Sequence, residues 1–333
     1  MKIKKIVTIP LCILTICLMG YGYYVCNNSI KNQNLTSSPD SIELSSPSSN
    51  SSEKSLYDLS FAVFGDIHDN EENFQYAIDD IKNTDIQLDA LVLNGDTVDQ
   101  GIESQYKTMK NILEKNKTNL PKTIIKNIGN HEFYDYDNGT NSKEEVNKKI
   151  QRYLDFAEED KVYHDKWINN YHFISLGSED GNSNTYDTMN SFISDSQFNW
   201  LKEKLSENYK KGRPIFVFSH QPLTLNWGWG DISGTNKSDS IKSLLLKYPE
   251  VILFTSHTHK QLSEKCYDDS KNYTTLQTGS ISYTLSRIDN GDFTRSFSNP
   301  YGLYVTVIKN NVTISGRDIK NNQWLFSNTP SNK

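Results

Sequence analysis

Seven side chains able to hold divalent cations fall at equivalent places in the chain, each just beyond a short apolar run. Asp66 and His68 follow the run from Leu59 to Phe64, and Asp96 follows Leu88 to Leu93. Asn130 follows Thr123 to Ile128, His220 follows Pro214 to Phe218, and His257 and His259 follow Val251 to Phe254. Five of the seven histidines lie in these places, His131 beside Asn130 being the fifth. A set of Asp, Asn and His without thiolate suits Mn, Fe, Zn or Ni better than Cu(I) or a structural zinc. Seven groups also exceed what one tetrahedral site takes. They fit two adjacent cations sharing a carboxylate, roughly 3.5–4 Å apart, an arrangement that activates water and polarises an ester.

Each residue taken singly has an ordinary reading as well. Asp66 could cap the helix that follows it, and Asn130 could be a turn residue. His220 could be a satisfied core histidine. The pair His257 and His259 is more pointed, because alternate residues of an extended segment face the same way. Five independent coincidences would be needed to explain all the blocks in these ordinary terms.

The elements that must position these residues repeat one grammar. A nearly continuous apolar run, of the kind found in strands buried on both faces, is followed by a polar turn and a helix-period stretch. Phe74, Ala77, Ile78 and Ile81 form one such helical stripe. Ser194 with Gln197 three positions on has the form of a capping box, and Phe198, Leu201 and Leu205 follow at helical spacing. Beyond about Thr274 the pattern turns to strands: Tyr273 to Thr278, Ser280 to Arg287, Tyr301 to Ile308 and Val312 to Arg317. Lys309, Asn310 and Asn311 make a plausible hairpin turn. The expectation is an α/β domain that finishes in antiparallel strands, with the ligand residues gathered at the tips of one sheet, where such folds place ligands.

In order, Asp66-Ile67-His68, Gly95-Asp96, Gly129-Asn130-His131-Glu132, His220 and Ser256-His257-Thr258-His259 resemble the motifs of the calcineurin-like metallophosphoesterases. Within that superfamily the chain looks like the bacterial cyclic-nucleotide-phosphodiesterase-like branch. The resemblance implies a four-layer sandwich, αββα, of two mixed sheets flanked by helices. It implies two divalent metal ions as cofactors and hydrolysis of phosphomonoesters or phosphodiesters by in-line attack of hydroxide. Asp66, His68 and His259 would bind the first metal, Asp96 would bridge, and Asn130, His220 and His257 would complete the second. His131 would be catalytic, standing over the phosphate. Asp99 and Glu132 are candidates to orient ligands, or else ordinary solvated carboxylates. Two features set the chain apart. The last motif begins with Ser256 where the family has glycine, which a small serine tolerates unless that backbone needs positive φ. His68, together with Thr97 and Val98 after Asp96, separates it from purple acid phosphatases, which add a tyrosine ligand.

Composition bounds the rest. The net charge is −6 over 333 residues, and no basic run with interleaved aromatics occurs, so no stable nucleic-acid partner is expected. The mean hydropathy of −0.65 requires most of the chain to be soluble. Cys12, Cys17 and Cys26 lie near the N-terminus and only Cys266 in the body, which excludes an intradomain disulfide. Lys2, Lys4 and Lys5 precede an uncharged apolar stretch from Ile6 to about Val25, the order of a signal peptide or membrane anchor, segment 1–26. Residues 27–54 are Ser- and Asn-rich, the composition of a disordered linker. The phosphoesterase domain is expected over 55–329, on the extracytoplasmic side, anchored through the membrane or secreted. Trp227 and Trp229, soon after His220, could stack part of a phosphorylated small-molecule or polymer substrate, or pack under a loop. A non-catalytic metal-binding surface protein on the same scaffold is the rival reading.

Overall fold

The computed structural model describes residues 56–186, 189–226, 231–288, 292–297 and 299–331. The expected signal or anchor segment and the expected linker lie outside the described residues, as do Trp227 and Trp229. In chain order the elements are β1 (Leu59–Phe64), α1 (Glu71–Asn83), β2 (Ala90–Asn94), α2 (Glu103–Lys115), β3 (Thr123–Asn127) and α3 (Lys143–Ala157). Then come β4 (His164–Ile168), β5 (Tyr171–Ser175), α4 (Asp195–Ser206), β6 (Ile215–Phe218), β7 (Thr224–Asn226), β8 (Asp231–Ser233) and α5 (Ser238–Leu245). The chain closes with β9 (Val251–Thr255), β10 (Tyr267–Asp268), β11 (Thr274–Gln277), β12 (Thr284–Arg287), β13 (Phe293–Ser296), β14 (Tyr301–Ile308), β15 (Asn311–Asp318) and β16 (Gln323–Asn328).

Two six-stranded mixed sheets form, in the orders β16-β15-β14-β1-β2-β3 and β10-β11-β9-β6-β5-β4. β1, β2 and β3 run parallel in the first sheet, and β5, β6, β9 and β11 in the second. The period-2 alternation of each strand explains how the sheets stack. Leu59, Phe61 and Val63 of β1 meet Phe216 and Phe218 of β6 and Ile252 and Phe254 of β9 in one buried layer. The alternate residues Ala62 and Phe64 turn outward onto Phe74, Ala77 and Ile78 of α1, with α2 and α3 completing that face. Ile215, Val217, Val251 and Leu253 turn the other way, onto Leu201 and Leu205 of α4 and Leu245 of α5. Phe61 sits amid four other phenylalanines between the sheets, its rings meeting theirs edge-on at 4.8–6.3 Å.

The local signals act as their chemistry dictates, with informative exceptions. Asn70, not Asp66, caps α1, its Oδ1 accepting the Asn73 N–H at 3.1 Å. Ser194 caps α4, but Gln197 does not return the bond. Its amide turns instead to the Gly177 carbonyl, and Glu179 accepts the Ser194 N–H at 2.7 Å. The β14–β15 turn is two residues, Lys309 and Asn310, both at positive φ, as a type I′ hairpin requires. The run from Ser280 to Arg287 is a strand only from Thr284, because Ile281 and Ser282 spend their N–H groups on the carbonyls of Gly65 and Asp66. The edge strands β4 and β16 have no counterpart among the sequence expectations, since neither is an apolar run. Between α1 and β15, buried Asp80 takes Arg317 Nε at 2.8 Å and Nη2 at 2.7 Å, and the Tyr304 hydroxyl at 3.1 Å.

Candidate metal centre

The ligand-type residues occupy the loops leaving the C-terminal ends of β1, β2, β3, β6 and β9. They come from both sheets, three strands from the first and two from the second, and not from the tips of one sheet. Asp66, His68, Asp96, His257 and His259 all adopt positive φ, between 49° and 71°. That region is costly for residues with a Cβ and persists where the surroundings fix it. Here the surroundings are backbone bonds across the loops: Asp66 N–H to the Gly95 carbonyl, and Ile67 and His68 N–H to the Asp96 carbonyl. His257 and His259 are therefore not alternate residues of an extended strand, since β9 ends at Thr255. They deliver their rings to different groups.

One group is Asp66, His68, Asp96 and His259, and the other is Asp96, His220 and His257, each with ligand atoms within 4.8 Å of one another. Asp96 belongs to both. Asn130 joins the second group, its Oδ1 lying 3.1 Å from His220 Nε2. The Asp96 Oδ2 is 3.0 Å from the same nitrogen. His220 Nδ1 donates to the Asn94 carbonyl at 2.9 Å, so Nε2 faces two oxygens, donating to them while the ring is charged and offering a lone pair to a cation once it is neutral. In the first group His259 Nδ1 donates to the Tyr283 carbonyl at 2.9 Å, which again leaves Nε2 bare. That atom faces His68 Nε2 across 3.1 Å. Lone pairs converging on lone pairs in a buried site fit a cation between them, so the donor set matches a pair of divalent ions with one shared carboxylate.

The charges of the site are in conflict without such ions. Burial pushes the Asp66 carboxyl up to about 7, with Asp96 adding to the push and His220 opposing it. Burial lowers His220, but Asp96 and Asp66 outweigh it and raise the imidazole to about 9. Burial would raise Asp96, yet His220, His131 and His68 hold it well below the usual range. Burial and then His220 bring His257 down to about 3, and burial depresses His68 and His259 too.

Glu132 and Asp99 behave differently from solvated carboxylates. Glu132 is 1% exposed and accepts the N–H groups of Gly129 at 2.7 Å, Thr97 at 2.9 Å and Asp96 at 3.1 Å. It ties the β2 and β3 loops into one unit. Asp99 is partly exposed, with Oδ1 3.4 Å from His68 Nδ1 and 3.3 Å from His131 Nδ1. The Asp99 carbonyl accepts from His131 Nδ1 at 2.9 Å, and the His131 N–H reaches Asp96 Oδ1 at 2.8 Å. Burial lowers His131, and the carboxylates of Asp96 and Asp99 raise it by more. Ser256 is not at positive φ. Its Oγ accepts from Asn94 Nδ2 at 2.9 Å and meets Thr278 Oγ1 at 2.8 Å, so the loop carries a serine without strain.

Tyr283, Tyr134, Tyr136 and Arg295 line the same place, and of these only Tyr283 and Arg295 escaped the sequence reading. Tyr283 stacks on His259 with ring centres 4.1 Å apart, and Tyr134 stands edge-on to His131 at 4.4 Å. Tyr134 and Tyr136 belong to the Tyr-, Asp- and Asn-rich insert after Glu132, whose composition was the available signal. Nothing in the sequence near Tyr283 or Arg295 marks them, because they arrive from the antiparallel tail of the chain.

The calcineurin-like phosphoesterase family model matches residues 59–261. No curated protein matches the chain in sequence. Among solved structures, purple acid phosphatase PPD1 from yellow lupin (Lupinus luteus) seeds superposes with a TM-score of 0.58 at 13% identity, over 81% of this chain and 53% of that one. The chain thus spans about half the length of the lupin enzyme. Vps29 of Entamoeba histolytica, solved with zinc, gives a TM-score of 0.37 at 14% identity over 81% of this chain and 98% of its own. At 13% identity the likeness to the lupin enzyme is one of fold. The family match covers well over half the residues, and the chain belongs to the calcineurin-like phosphoesterases.

Proposed function

We propose that the chain is a two-metal phosphoester hydrolase in which Asp66, His68 and His259 hold one cation, Asn130, His220 and His257 the other, and Asp96 both. The sharing of Asp96 between the two groups carries the reading. Divalent ions held there would supply an activated water and polarise the phosphoryl oxygens. The protein's own part is positional. Glu132 fixes the Asp96 loop against the Asn130 loop. His131, whose Nδ1 is committed to the Asp99 carbonyl, keeps Nε2 for the substrate, where it gives a proton to the departing oxygen. Substrates are phosphorylated small molecules or polymers. The likeness to the cyclic-nucleotide-phosphodiesterase-like branch makes cyclic nucleotides one arm of a substrate panel.

The test is turnover of aryl phosphate monoesters and diesters by the purified chain with added Mn, beside measured metal content. Two metals per chain and hydrolysis of at least one ester class are expected. Metal near zero with no turnover under any divalent cation would overturn the proposal, and bound metal without turnover would favour the non-catalytic surface protein. The proposal includes an extracytoplasmic domain, supported by the basic residues Lys2, Lys4 and Lys5 ahead of the apolar stretch. A C-terminal reporter that works only outside the cytoplasm should be active.

A further inference from the structure

The β12–β13 hairpin rises directly from the metal centre. Its base is stitched there by the Leu285 N–H to the His259 carbonyl at 2.7 Å and by Asn73 Nδ2 to the carbonyls of Ile281 and Ser282. Arg295, opposite Leu285 in the hairpin, is exposed and holds its guanidinium over the Tyr283 ring, 4.6 Å from the centroid. Tyr283 is itself stacked on His259, so the cation stands one ring away from a ligand of the first group. Across the mouth, Tyr136 is exposed, and Asp99 and Arg295 both act on its phenol. Among the described residues no carboxylate pairs with Arg295.

We infer that Arg295 is an anion-recognition residue at the rim of the centre, taking a second phosphoryl group of the substrate beside the one that is cleaved. The inference rests on the hydrolase reading for the identity of the first group. An exposed guanidinium held over a tyrosine ring at the mouth presents a placed positive charge to an arriving anion in a chain of net charge −6. Its planar fork matches phosphate oxygens two at a time. Lying over Tyr283 restrains the side chain beforehand, so less freedom is lost on binding. The reacting phosphoryl belongs to the ions and His131, which leaves the more distant cation for a neighbouring group.

Calorimetric titration of the Mn-loaded full chain with pyrophosphate and with orthophosphate tests this. Wild type should bind pyrophosphate about ten-fold more tightly than orthophosphate, the scale of one charge-assisted contact. Arg295→Gln should collapse that ratio to within about two-fold, and Arg295→Lys should keep part of it. Arg213→Gln removes a positive charge far along the second sheet and should leave the ratio intact. The inference is overturned if Arg295→Gln keeps the ratio, if Arg213→Gln collapses it equally, or if wild type shows no preference. Turnover of 4-nitrophenyl phosphate by wild type is scored separately. An Arg295-dependent ratio in a chain without turnover would sink the hydrolase reading and leave the anion site standing.

Discussion

His68 Nε2 and His259 Nε2 face each other across 3.1 Å, although one follows a strand of the first sheet and the other a strand of the second. With His259 Nδ1 donating to a carbonyl and His68 Nδ1 beside the Asp99 carboxylate, both facing atoms present lone pairs. Two lone pairs this close in a buried site favour a cation between them.

Metal should for that reason stabilise the fold, and more so at higher pH. Asp66 sits at about 7 in the folded chain against 3.8 as its ordinary value, and His220 at about 9 against 6.5. Both groups bind more protons folded than unfolded, so their contribution to metal-free stability falls as pH rises, and above about 6.5 the depressed histidines His68, His257 and His259 are neutral in both states and no longer offset it. Protons also compete with the cation for these ligands. The gap in Tm between Mn-loaded and chelator-treated protein should widen from pH 6 to pH 8.5. A gap that narrows contradicts the assignment of Asp66 and His220 as ligands.

His131→Ala and Asp96→Ala should part company. The first removes a proton donor and should cost about 100- to 10,000-fold in kcat while metal stays bound. The second removes the shared carboxylate and should lose metal and turnover together. Metal analysis beside kinetics decides, and equal behaviour of the two variants would dismiss the division of roles.

Glu132→Gln keeps the size of the side chain but removes the charge that three N–H groups share. A loss of about 10- to 100-fold in metal affinity is expected, as for groups that orient metal ligands. Competition with a chelating dye measures it. Unchanged affinity would mean that Glu132 only braces the loops.

Gly95→Ala should damage the centre from outside it. The residue is at φ +85°, and a Cβ there would lie 2.4 Å from His220 Nδ1. The ring must move off the Asn94 carbonyl, and metal content should drop by about one ion per chain, an effect of the kind expected where special φ values are strained. Full occupancy in the variant would show that His220 can shift and still bind.

Asp80→Ala serves as the contrast. It strands Arg317 in the interior, and breaking a buried pair this way costs about 3–5 kcal/mol. Denaturant unfolding should show that loss, while metal content in the surviving folded protein is retained.

Strand period and ligand chemistry are local properties, so the residues able to bind metal and the apolar strands that present them are legible along the chain. The runs around Leu59, Thr123 and Val251 became β1, β3 and β9 within two residues of their expected bounds. Tertiary structure alone decided that the tips of two sheets share the centre, since sheet membership follows from which strands pair. It also sent His257 and His259 to separate groups, through left-handed backbone that only the surrounding loop bonds sustain. Glu132 was legible as a candidate to orient ligands, but its tie between two loops, and the place of Tyr283 and Arg295 at the rim, were not. Their positions depend on contacts between segments far apart in the chain, and no spacing along the sequence encodes such contacts.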